Sequence, residues 1–162
     1  MRFSLTTSAF ADSVKVDYDH STNFAQLKTY SWKAVHTANS LWDKRVKAAV
    51  DSELSAKGWT QVPSGGDVQI VAAAKTSVHQ QYDTTYDGFG GRRLGGLGTS
   101  TTSLDSYKVG TLFVDMFAGP NNQLIWKGTS SADLTGSPDK NEKKLDKDVH
   151  DMFKRFPPKA GA

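Results

Sequence analysis

Lys108–Trp126 reads KVGTLFVDMFAGPNNQLIW, and the fold turns on how this stretch is read. Leu112, Val114 and Met116 alternate with Thr111 and Asp115, the period of a strand with one face buried. Gly119-Pro120-Asn121-Asn122 combines the residues that preset or tolerate turn dihedrals, and Leu124-Ile125-Trp126 follows at once. Two apolar-alternating runs around a compact turn predict an antiparallel hairpin. Upstream, Asp67 to Val78 repeats the alternation, with Val68, Ile70, Ala72 and Ala74 on one face. Small residues there predict a strand on which something packs closely. Nearer the start, Val14, Val16 and Tyr18 alternate with Lys15, Asp17 and Asp19. Asp19-His20-Ser21-Thr22-Asn23 is turn chemistry, Phe24 and Leu27 are one helical turn apart, and Thr29, Tyr30 and Trp32 suggest a further short strand.

Two segments switch to the helical period. Ser40 and Asp43 resemble a capping box, and behind them Trp42, Val46, Ala49, Val50 and Leu54 share one face. Gly58 suits a left-handed C-terminal cap, with Trp59 folding back as its apolar partner. Ser137-Pro138 opens a second helix as N-cap and first-turn proline. Its stripe is Leu145, Val149, Met152, Phe153 and Phe156, and Pro157-Pro158 ends it. Together these elements predict an α+β fold. The expected architecture is a two-layer sandwich: a mainly antiparallel sheet, both amphipathic helices on one face, and a long Gly-rich loop before a C-terminal hairpin. Trp42, Val46, Val50, Leu54, Val149 and Phe153 are expected to be buried together.

The bulk numbers suit one polar-surfaced domain. The chain has 162 residues, 37% hydrophobic and 23% charged, enough to build a core without a metal or disulfide staple. Its net charge of +3 is too small and dispersed to argue specific nucleic-acid binding. No apolar run approaches the roughly 18 residues that span a bilayer. The absence of cysteine excludes disulfides, thiol catalysis and a lipobox anchor. Ala9-Phe10-Ala11 before Asp12 reads as the end of a signal peptide, although Phe3–Phe10 is short and Ser/Thr-rich for its apolar core. Residues 1–11 are therefore set aside as a signal-peptide remnant or disordered tail. Residues 12–159 are read as a single domain, with 80–107 a flexible loop.

Several stretches taken in order resemble one family. They are Val16-Asp17-Tyr18-Asp19 with Asn23-Phe24, then Lys28-Thr29-Tyr30-Ser31-Trp32, and Gly110-Thr111-Leu112-Phe113-Val114-Asp115 with Leu124-Ile125-Trp126-Lys127-Gly128. The closing Met152-Phe153-Lys154-Arg155-Phe156-Pro157-Pro158 completes the pattern, with a Gly-rich loop before the hairpin. The chain resembles the domain of unknown function 4136 family, found among exported bacterial envelope proteins and lipoproteins. The resemblance implies a periplasmic or envelope location and supplies no activity. Members that are lipoproteins carry an N-terminal cysteine, so this chain as it stands is not expected to be lipid-anchored.

No catalytic signature in the sequence is decisive. His20, His36, His79 and His150 have no zinc-site spacing. Asp17-x-Asp19-x-Ser21-x-Asn23 lacks the glycine and the bidentate Glu of a calcium loop and reads better as strand-end and turn carboxylates. The glycines of 88–96 lead into Thr99-Ser100-Thr101-Thr102 rather than Gly-Lys-Ser/Thr and a helix, so a flexible loop is preferred to a phosphate cradle. No Gly-x-Ser-x-Gly motif occurs, and the one Ser-x-x-Lys, Ser137 to Lys140, is read as the N-cap and first turn of the second helix. The carboxylate pairs Asp83/Asp87 and Asp146/Asp148 read as solvated. No cofactor and no metal are expected.

What remains is the segment from Gln80 to Tyr107, rich in Gly, Ser, Thr and Tyr. Loops this long are functional or disordered. Tyr82, Tyr86, Phe89, Arg92, Arg93 and Tyr107 are the candidate binding residues, because aromatic and Arg side chains among glycines make an adaptable contact surface. Alternatively the aromatics fold back over a sheet edge. The expected function is a non-catalytic interaction module of the cell envelope with an unidentified protein or ligand partner. The alternative is an envelope hydrolase whose site is gathered from separate elements.

Overall fold

The computed structural model of the chain describes residues 13–86 and 100–159, with the backbone alone for 81–86 and 100–105. The elements are β1 (Ser13–Tyr18), a 3₁₀ turn (Phe24–Gln26), β2 (Thr29–His36), α1 (Ser40–Ala56), β3 (Thr60–Gln61), β4 (Val68–Tyr86), β5 (Ser100–Ala118), β6 (Gln123–Leu134) and α2 (Pro138–Phe153). They form a two-layer α+β sandwich. One six-stranded sheet has the order β1-β6-β5-β4-β2-β3. The pairs β1–β6, β6–β5 and β5–β4 are antiparallel, whereas β2 pairs parallel with both β4 and β3. Placing α1 between β2 and β4 in sequence supplies the crossover that parallel pairing requires.

The helices run side by side in the same direction, as Arg45 meets Glu142 at 3.6 Å and Glu53 meets His150 at 2.9 Å, eight residues further along each helix. Their shared floor is Val68, Ile70 and Ala72 of β4, Leu112, Val114 and Met116 of β5, and Trp126 of β6, all buried with Val46, Val50, Leu54, Val149 and Phe153. Trp126 lies 5.0 Å from the Phe153 ring and 5.4 Å from Phe156, which also touches Trp59 and Phe24. Gly128 lets α2 lie flat on β6, because a Cβ there would collide with Met152 and the Trp126 ring. On the opposite face of the sheet, Lys33 covers the Phe117 ring and Lys127 the Phe113 ring.

Local expectations at α1 are corrected in two places. Its N-cap is Asn39, whose side chain accepts from the Trp42 N–H, while Asp43 instead accepts from the Thr37 N–H and hydroxyl. Trp42 is half-buried at the rim, with the Arg45 guanidinium 4.6 Å above its ring, and is not a core residue. The C-terminus is as expected: Gly58 takes φ +82°, and the Trp59 N–H reaches the Leu54 carbonyl at 2.9 Å.

Asp51 fastens α1 to β2, accepting from the Tyr30 hydroxyl at 2.7 Å and the Trp32 indole at 2.8 Å. Burial first, and then this carboxylate, push the Tyr30 phenol well above its ordinary range. Asp51→Ala leaves a buried hydroxyl without its acceptor, and an urea melt is expected to show a loss of about 1–3 kcal/mol. Asp67 closes the turn before β4 by accepting from the Lys28 and Thr29 N–H groups, which hold its carboxyl below the usual carboxylate range. A depressed folded value means this stabilisation is present above the unfolded pKa and fades as pH falls through the folded one. The group is exposed, so the difference between the native chain and Asp67→Asn should stay under about 1 kcal/mol at pH 7. It should vanish in melts taken well below pH 3.8.

Candidate functional site

The segment read as a loop from Gln80 to Tyr107 is largely strand. β4 runs on to Tyr86 and β5 begins at Ser100, paired residue by residue from Ser77 opposite Val109 to Tyr86 opposite Ser100. Thr and Tyr favour extended backbone even without apolar alternation, and that alternation was the signal the sequence lacked here. Residues 87–99 lie outside the described residues.

The neighbours of this ribbon end early. β2 pairs with β4 only as far as His36 opposite Ala73, and β6 with β5 only as far as Leu134 opposite Lys108. Beyond those points, β4 and β5 pair with no third strand among the described residues. The result is a two-stranded arm of roughly 30 Å at ~3.3 Å per residue. Val78 is 61% exposed on it, and His79 and Gln80 are exposed as well.

The register sorts the candidate residues. Positions 78, 82 and 86 of β4 fall on the face that continues the helix-covered side, with Leu104 opposite Tyr82. Tyr107 falls on the other face, stacked on His79 with ring centroids 5.5 Å apart, and His79 Nε2 is 3.0 Å from the Ser77 hydroxyl. Tyr107 is thus separated from Tyr82 and Tyr86. Phe89, Arg92 and Arg93 belong to the segment outside the described residues, so nothing brings them to either face.

At the arm's root lies a cleft of about 170 Å³, lined by α1, α2 and the strands β4, β5 and β6. Trp42 and Val46 line it from α1, Leu145 and Asp148 from α2. The reading of Asp148 as solvated is corrected: it is only 3% exposed. The spacing Asn141, Leu145, Asp148, Met152 is itself an inward helical stripe, so a signal was available in the sequence. Its neighbour Asp146 stays at the surface between the helices, its carboxyl raised by burial and by Glu142. Asp19 turns its carboxylate on its own turn, accepting from the Ser21 and Thr22 hydroxyls. Among the described residues no three His, Cys, Asp or Glu side chains gather as metal ligands, and no helix is long and apolar enough to cross a membrane.

A family model described as Domain of unknown function (DUF4136) matches residues 14–158. The chain belongs to the DUF4136 family. No curated protein matches it. Among solved structures, this DUF4136 chain shares its fold with a PDZ domain protein from Parabacteroides distasonis, with a TM-score of 0.63 and 14% identity. The match covers 91% of this chain and 36% of that one, so the chain spans about a third of that protein. It also shares its fold with PelC from Paraburkholderia phytofirmans, solved as a dodecamer, with a TM-score of 0.53 and 12% identity over 88% of this chain and 94% of that one.

Proposed function

We propose that this DUF4136 chain is a non-catalytic envelope protein that binds a partner protein through the β4–β5 arm. The observation that carries the reading is the arm itself. A lone two-stranded ribbon is at best marginally stable in water, and its open edges are templates for pairing with another chain. A ribbon extended beyond its sheet is stabilised when a partner covers it. Tyr82, Tyr86, Phe89, Arg92, Arg93 and Tyr107 are the proposed contacts, since Tyr and Arg commonly anchor interfaces. The separation of Tyr107 from Tyr82 and Tyr86 onto two faces favours a partner that grips the arm from both sides or along an edge. The Ala9-Phe10-Ala11 signal and the family resemblance support export to the envelope. The assembly of PelC as a dodecamer supports a second copy of the chain as one partner.

The test is to shorten the arm and crosslink in the native cell. Partner capture is expected to be lost while the fold persists, and the mass of the crosslinked species separates a second copy from a different protein.

A further inference from the structure

The cleft at the arm's root is a feature apart from the arm. Its floor is made of the small residues Ala74 on β4 and Ala132 on β6, with the Leu134 side chain lying over Gly110 of β5. Gly110 stands opposite both Thr76 and Ala132 in the ladders. Further along the same face stand Ile70, Val114, Met116 and Trp126, which fill the space beneath the helices. Here Ala74 and Ala132 leave that space open, Leu134 bounds it from β6, and Trp42 and Leu145 wall it from the two helices. The volume is of the order of the ~150 Å³ apolar cavity that takes up a benzene ring, which corresponds to a group of about six carbons.

Lys144 sets the polarity of the site. Lys144 lines the cleft, and its ammonium is anchored by a hydrogen bond to the Asp133 carbonyl. An ammonium carries three donors and this bond uses one of them. Asp148 lies one turn further along α2, buried, and is the one carboxylate among the lining residues. An anionic group is therefore attracted to Lys144.

We propose that this cleft is a binding site for a medium-chain fatty carboxylate. The aliphatic tail lies on Ala74 and Ala132 against the Leu134 side chain, and the carboxylate meets Lys144. Concave, mostly apolar sites with one or two placed polar groups are the usual form of small-molecule pockets.

Titration calorimetry on the full chain with hexanoate, octanoate, octyl phosphate, octanol and octylammonium tests the proposal. Saturable one-to-one binding of octanoate is expected, about fourfold tighter for each methylene added until the cleft is full. Octanoate should bind about tenfold more tightly than octylammonium, because its head meets a cation. Lys144→Met keeps the aliphatic stem and should bring octanoate down to the level of octanol, with octanol unchanged. Ala132→Leu and Ala74→Leu each fill the floor. Whichever of them keeps its native circular dichroism should lose octanoate binding by about tenfold or more. Absence of saturable binding, equal binding of all the head groups, tighter binding of octyl phosphate than of octanoate, or unchanged affinity in a folded filling variant would overturn the proposal. Excising the arm beyond Val78 and Lys108 leaves every floor residue in place and should leave octanoate binding intact, so this site and the arm succeed or fail separately.

Discussion

Phe153→Ala is expected to lower unfolding stability by about 3–5 kcal/mol in an urea melt. The ring is fully buried at the end of α2, 5.0 Å from Trp126 and 5.2 Å from Phe156. Trp126 is itself among the largest buried side chains and comes from β6, so the three rings join the helix layer to the sheet layer. Truncation loses the transfer free energy of the ring and leaves a cavity between rigid neighbours, which relaxes only in part. A domain of ordinary stability has roughly 5–15 kcal/mol in all, so this one change removes a large share. The denaturant slope should stay the same, because the surface exposed on unfolding is nearly unaltered. A loss below about 1 kcal/mol would mean that the α2 stripe does not face the sheet.

The parts legible in the sequence are those where one face of an element is buried. Leu112, Val114 and Met116 announced their strand, and Val149, Met152 and Phe153 their helix, because burial on one side writes its period into the chain. Strand order was not legible. The parallel pairing of β2 with β4 and the pairing of β1 with β6 at the far edge need contacts that no local pattern encodes. Trp42 was misjudged because spacing gives the face of a helix and not where the facing sheet thins out to Ala74 and Gly110. Asp148 was misjudged for the complementary reason: polar identity was allowed to outweigh an inward position. The arm was hidden because its sequence carries β-propensity without the alternation by which a strand is recognised.

The central claim is that the arm is dispensable for folding and necessary for binding. Val78 and Lys108 stand directly opposite each other, so replacing residues 79–107 by Asn-Gly closes the ribbon with a two-residue turn suited to its twist. Among the described residues, every buried core residue lies outside the excised segment, the nearest being Ala72 and Leu112. The excised chain should therefore keep its circular dichroism and melt within a few degrees of the native chain, since shortening a connection changes closure entropy only slowly. Its binding should collapse, because the strand edges and all six candidate residues are gone. The decisive measurement is crosslinking of native and arm-less chains, expressed at equal levels in the native cell, with the crosslinked species quantified by mass spectrometry. The account predicts that species captured by the native chain fall about tenfold or more with the arm-less chain while it remains folded. Undiminished capture by a folded arm-less chain would contradict it.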